Sequence, residues 1–167
     1  QGCEFWDFSL VDPDNRRPVD YALRKAALAS GAPAARLVEA WRTGAIKQHV
    51  IARTLSLRRL RPGLFSDAAY RPIGASGLRS GSVLAFERGG PEGPLLVACA
   101  IRAAAALEGA SGPTLSSAWW NGTELAATAS PTGRWVNRLT GEVLAGDGAL
   151  AAQDRFATLP GAVLTAD

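Results

Sequence analysis

The sequence predicts an α+β chain, with helices in residues 1–62 and an antiparallel β-sandwich domain in residues 63–167. Two observations carry that division. Before Pro62 the apolar residues recur at helical spacing, as in Ile46, Val50 and Leu57. After Pro62-Gly63 they fall into short alternating or continuous runs cut by Gly, Pro, Ser and Asn, the texture of an antiparallel sheet. A hydrophobic fraction of 47% with 20% charged residues agrees with a globular chain and excludes a disordered one.

Taken in order, residues 1–17 read as a strand end and loop. Pro18 suits the first position of a helix with Asp20 in its first turn, running from Val19 to about Ser30 and stopped by Gly31 and Pro33. Pro33 can open a short second helix carrying Leu37, Val38 and Trp41 on one side, and Thr43-Gly44 breaks it. A third helix is expected over Ala45–Leu60. Its apolar face holds Ile46, Val50, Leu57 and Leu60, widened by Ile51 and Leu55, with Lys47, Gln48, Arg58 and Arg59 on the outer side. Three such helices cannot enclose a core alone, so their wide apolar face needs a partner.

Strands are expected at 70–74, 82–88, 95–102, 115–120, 124–127, 134–139, 142–144, 156–159 and 162–165. Leu95 to Ile101 is apolar on both faces and reads as a central strand, joined to its predecessor by a hairpin over 88–94. Residues 103–112 fit either a short helix or a loop. Asn121-Gly122 is a turn signal. Trp119, Trp120 and Trp135 offer a possible sugar platform, but packing is the better reading for Trp135, which sits in an alternating strand.

Charge and rare residues narrow the function. The net charge of +3 comes from scattered arginines interspersed with 15 acids, which gives no nucleic-acid footprint. Arg58, Arg59 and Arg61 close a helix, where cations complement its dipole. No apolar run approaches the ~20 residues of a spanning helix. Cys3 and Cys99 are too few for a disulfide framework, and His49 has no second ligand beside it, so no metal or other cofactor is expected. No charged-then-apolar leader opens the chain. It begins with Gln instead of Met and is expected to be a piece of a longer protein.

The densest polar chemistry is Asp12-Pro13-Asp14-Asn15-Arg16-Arg17-Pro18-Val19-Asp20, preceded by Glu4 and Asp7 alternating with Phe5, Trp6 and Phe8. Two readings stand side by side. Asp, Asn and Pro are ordinary turn residues, and the arginines can pair with Asp12, Asp14 or Asp20. The same groups can also grip neighbouring hydroxyls of a polyol by charge-assisted bonds beside an aromatic face.

The run QGCEFWDFSLVDPDNRRPVDYALRKA is similar to the closing catalytic-domain segment of malto-oligosyltrehalose synthases, within the α-amylase superfamily (glycoside hydrolase family 13). Gln1, Gly2, Glu4, Asp7, Ser9 to Val11 and all of Asp12 to Asp20 fall in register with that pattern. Leu55 to Phe65 resembles the last barrel helix and its exit. Tyr70-Arg71-Pro72, Val83 to Arg88 and Gly133 to Gly141 resemble the β-rich tail.

The resemblance implies that residues 1–62 are the last loop and helices of a (β/α)8 barrel, whose missing N-terminal part would cover the apolar helix face. It implies a cytoplasmic enzyme of trehalose biosynthesis that moves the reducing-end α-1,4 link of a malto-oligosaccharide to an α,α-1,1 link, with no nucleic-acid or membrane partner. The catalytic carboxylates would lie upstream, so no residue here is catalytic and the chain alone would be inactive. Glu4, Asp12, Asp14, Asn15, Arg16 and Arg17 would bind substrate, because the loop after the last strand borders the active face of such a barrel. Two alternatives remain open: another superfamily hydrolase or glucanotransferase, and a non-catalytic carbohydrate-binding β module.

Overall fold

The structure is a computed structural model and describes residues 2–128, 130–146 and 149–166. Gln1, which opens the family-like motif, lies outside the described residues. Helix α1 runs Tyr21–Ala29 and starts later than the prolines suggest, because the Asp20 carboxylate caps it by accepting from Leu23 N at 2.8 Å. Pro33 stands just before α2 (Ala34–Glu39), and a 3-10 turn at Trp41–Thr43 leads to Gly44. Helix α3 spans Ala45–Leu60, with both ends as the sequence predicts. One further turn, α4 (Gly63–Ser66), follows Pro62.

Among the described residues nine strands come next: β1 (Ala69–Ile73), β2 (Ala75–Ser76), β3 (Val83–Gly90), β4 (Gly93–Ala100), β5 (Glu124–Leu125), β6 (Arg134–Asn137), β7 (Val143–Ala145), β8 (Leu150–Ala151) and β9 (Gly161–Ala166). They form a six-stranded sheet in the order β1-β3-β4-β9-β6-β7 and a three-stranded sheet β2-β5-β8. Every pairing is antiparallel. The expected central strand is β4, flanked by β3 and β9. The loop expected over 88–94 is mostly ladder, since Gly90 still pairs with Gly93 across a tight turn at Pro91-Glu92.

Two expected strands are helical or irregular. Residues 115–120 carry the single turn α5 (Ser117–Trp120), because the Ser116 hydroxyl caps it by accepting from Trp119 N. Residues 156–159 follow a second single turn, α6 (Ala152–Arg155), and form no strand. Phe156 and Leu159 stand three apart rather than two, and each enters a different core cluster. Residues 103–112 hold only a 3-10 turn at Ala104–Ala106.

The large sheet is buried on both faces, and β4 shows how. Leu95 and Val97 point to a cluster with Ala34, Ile46, Leu57 and Leu64 of the helices. Leu96 and Ala98 point the other way, to Trp120, Leu125, Leu150 and Phe156. The sheet therefore provides a partner for α3, where the missing barrel was expected to supply one. Against the sheet alone, Ile46 and Leu57 are each 6% exposed, while Val50 is half-buried. A buried Leu or Ile contributes about 1.5–3 kcal/mol, enough to hold α3 on the sheet. Leu55 and Leu60 depart from the expected face and lie exposed near the end of α3.

Trp120 and Trp135 are buried, so neither offers a ring to a sugar. Trp119 is half-buried and its ring lies 4.7 Å from the Arg79 guanidinium. At the sheet edge, Pro72 sits in β1 opposite Phe86. Glu87 of β3 is buried, pairs with Arg71 of β1, and accepts from Thr128 N at 2.5 Å and Thr128 Oγ1 at 2.9 Å. On the other face Arg88 donates to Phe65 O and Ala68 O, both at 2.9 Å, and so closes the end of α4.

Candidate functional site

The first loop folds back on α1 and α3 through Arg24. Its Nε and Nη2 donate to Gly2 O at 2.9 and 2.5 Å, and its guanidinium stands 4.9 Å from the centre of the Phe5 ring. Glu4 reaches the same guanidinium at 3.5 Å. Lys47 Nζ donates to Phe5 O at 3.2 Å, and Trp6 Nε1 donates to Trp41 O at 2.5 Å. Gly44, with φ of +84°, lets α3 begin directly beneath this strap; a Cβ there would stand 2.6 Å from Trp6 N.

The polar motif is a tight turn. Asp14–Arg16 is a 3-10 turn, and Asp14 Oδ2 accepts from Leu10 N at 2.8 Å. Arg16 grips Asp12 with two prongs, one of them Nη2 to Oδ2 at 2.7 Å, and Arg17 pairs with Asp14. Of the partners open to the arginines, Asp12 and Asp14 are taken, while Asp20 caps α1 instead. Both pairs are largely exposed, with side-chain accessibilities of 73% and 55% for Arg16 and Asp12. Exposed pairs contribute ~0–1 kcal/mol, so they shape the turn and yield readily to a ligand.

Beside the turn lies a hollow of about 350 Å³, at the low end of the size of small-molecule pockets. Its walls include Trp6, Asp7, Phe8, Asn15, Arg17 and Arg24. The structure thus brings Asn15 and Arg17, of the six expected binding residues, to one cavity. Glu4, Asp12, Asp14 and Arg16 do not line it. Trp6, Asp7, Phe8 and Arg24, which were not among the six expected binding residues, also line it. Alternation of acids with aromatic rings in residues 4–8 was the available signal for the first three. Arg24 gave none, since only the fold brings it to Gly2.

Two rings, two acids, an amide and two guanidinium groups around a small hollow suit a neutral polyhydroxylated ligand better than an ion. The chemistry available is binding and orientation. No group of three or more His, Cys, Asp or Glu among the described residues could hold a metal ion. No helix among them is long and apolar enough to cross a membrane.

Asp7 is held below the ordinary carboxylate value, first by the Ser9 hydroxyl and then by the Ser9 N–H, which donates to Asp7 Oδ1 at 2.9 Å. The shift is downward, so this bond is fully made above the unfolded pKa of Asp7 and is lost as pH falls through the lower folded one. A carboxyl-carbon NMR titration should give Asp7 a midpoint below that of a free aspartate, and Ser9→Ala should raise it. An unmoved midpoint in Ser9→Ala would remove Ser9 as the cause.

The comparisons with known proteins converge. The chain is 36% identical, over all of its length, to a Mycobacterium tuberculosis protein assigned as a maltooligosyl trehalose synthase. It spans only 18% of that relative. The solved maltooligosyltrehalose synthase of Arthrobacter ramosus superposes with a TM-score of 0.70 at 36% identity, covering 99% of this chain and 19% of that one. A second solved maltooligosyl trehalose synthase, at 22% identity and a TM-score of 0.62, shares the fold. No protein-family model matches the chain.

Proposed function

We propose that this chain, homologous along its whole length to the maltooligosyl trehalose synthases, is the C-terminal part of such an enzyme. The observation that carries the proposal is the 36% identity over the full chain, joined to a TM-score of 0.70 with a solved synthase. In this reading the whole enzyme moves the terminal α-1,4 link of a malto-oligosaccharide to an α,α-1,1 link. Residues 1–62 then close its (β/α)8 barrel, and residues 63–167 form its β-sandwich tail. The carboxylates that break and remake the bond belong to the preceding part of the enzyme. This chain contributes to the pocket wall.

The demand on that wall follows from the reaction. A glucose released from the chain end must be retained, turned and used as acceptor in place of water. Asn15 and Arg17, at the hollow, are suited to hold its hydroxyls while Trp6 and Phe8 offer it an apolar face. Glu4, Asp12, Asp14 and Arg16 support the turn that presents them. Water needs no holding, so losing a grip on glucose favours hydrolysis over isomerisation.

The test uses the longer enzyme with maltopentaose and measures free glucose against trehalose-ended product. A charge-assisted hydrogen bond contributes ~1.5–3 kcal/mol, so Arg17→Ala should shift that ratio toward glucose by roughly 10- to 100-fold. Arg16→Ala, away from the hollow, should leave the ratio within about 3-fold, consistent with an exposed pair. If Arg17→Ala lowers both products together and lowers the melting temperature, Arg17 is only a structural partner of Asp14. An enzyme that forms no trehalose-ended product at all would sink the proposal itself.

A further inference from the structure

Scattered as the arginines are along the chain, its positive excess gathers at one place. Residues 40–66 hold six Arg and Lys and no acid, whereas the other 140 residues hold twelve cations and fifteen acids. The second half of α3 opens there on a hollow of about 190 Å³. Its walls are Arg53, Ser56, Leu57, Leu60 and Arg61, joined by Arg138 from the turn after β6. Arg53, Leu57 and Arg61 stand four residues apart and so share one side of the helix.

Each of the three guanidinium groups is pinned by a hydrogen bond to an uncharged oxygen. Arg53 Nε donates to Arg138 O at 2.9 Å, Arg61 Nη1 to Glu92 O at 3.4 Å, and Arg138 Nε to Thr165 Oγ1 at 2.7 Å. Neither Arg53 nor Arg61 has a carboxylate partner among the described residues. Glu92, on the facing hairpin, turns a carboxylate oxygen to Gly63 N at 3.0 Å instead. The helix dipole accounts for Arg58 and Arg59 in the last turn. It does not account for Arg53, two turns before the end, or for Arg138, which another element brings in.

We propose that this hollow is a site for a phosphate group, taken up as the free dianion or as the head of a small phosphate monoester. Pockets for whole small molecules begin near ~300 Å³, so this one suits a single tetrahedral anion and leaves any remainder of the ligand outside. Guanidinium forks match phosphate oxygens in pairs, and the Ser56 hydroxyl adds a neutral donor. A dianion also relieves the mutual repulsion of cations gathered without an acid among them. A nucleic-acid strand fits less well, because Leu55 and Leu60 stand exposed amid these cations and no aromatic ring lines the hollow. The site shares no residue with the polar hollow beside the first loop and does not depend on the function proposed above.

The test is isothermal titration calorimetry with inorganic phosphate, methyl phosphate and an oligothymidylate, on this chain and on the longer synthase, against sodium chloride at equal ionic strength. Saturable one-to-one phosphate binding that chloride does not reproduce is expected in both proteins. Tighter binding of methyl phosphate assigns the site to an ester, and equal or weaker binding assigns it to the free ion. Arg61→Gln should weaken binding by at least about tenfold. Arg53→Lys keeps the charge and loses the fork, so it should weaken binding by roughly 3- to 10-fold with the melting temperature unchanged, which covers the case that Arg61→Gln fails to fold. Arg58→Gln, outside the hollow, should change binding by less than about twofold. Equal losses in Arg58→Gln and Arg61→Gln, or heat that chloride reproduces, reduce the patch to a counter-ion cloud and overturn the proposal. Binding of the oligothymidylate alone overturns it in favour of nucleic acid. Binding by this chain but not by the longer synthase overturns it as well, since the hollow is then covered in the working protein. No activity is assayed, so the outcome is separate from that of the trehalose-forming test.

Discussion

Trp135→Ala should lower the unfolding free energy by about 3–5 kcal/mol, the usual range for emptying a large aromatic site. The side chain is 0% exposed and sits in β6 between Leu144 of β7 and Ala166 of β9. Gly146 packs on its ring so closely that a Cβ there would lie 2.7 Å from Trp135 Cδ1, so the ring fills its space completely. Its indole N–H is buried with no hydrogen-bond partner among the described residues. Trp135→Phe should therefore lose volume but no hydrogen bond, and should cost less than the Ala change. Urea unfolding of the three proteins measures this. An Ala variant within about 1 kcal/mol of the parent would show that the site collapses without penalty.

Gly44→Ala should damage both the helical layer and the site. A left-handed residue other than Gly carries about 1–3 kcal/mol of strain. Added to it is overlap with Trp6 N at 2.6 Å and Phe5 Cβ at 2.9 Å, and overpacking of that kind costs about 1–3 kcal/mol. The overlap is with backbone, so relief requires moving the strap that carries Trp6 and Asp7. The variant of the longer enzyme should accordingly lose stability and also shift its products toward glucose. Loss of stability with an unchanged product ratio would separate the strap from the pocket wall.

What could be read in the sequence depended on how local its cause was. Helix α3 is bounded by Thr43-Gly44 and Pro62-Gly63 and carries Ile46, Val50 and Leu57 at helical spacing, so its limits and inner face follow from nearby residues. Strand β4 is likewise announced by seven consecutive apolar residues, Leu95 to Ile101. The runs 115–120 and 156–159 failed because a short apolar run has no period of its own. Ser116 and the distant partner of Trp120, Phe156, decided the first. The partner of α3 was misjudged for a related reason: a wide apolar face shows that something must cover it, never what. The site divides in the same way. Its turn is local chemistry and legible, whereas the hollow depends on Arg24 reaching back 22 positions to Gly2.

The proline in β1 bears on how this chain behaves at high concentration. An outer strand with unpaired N–H and C=O groups is a template for strand addition, the route to cross-β assembly. Pro72 has no N–H to offer and interrupts that template at one margin of the large sheet. At the other margin β7 is only three residues long, too short to recruit a partner firmly. Both margins are thus poor growth points. Self-association of the 167-residue chain should proceed through its apolar side chains, giving salt- and detergent-sensitive oligomers without fibrils.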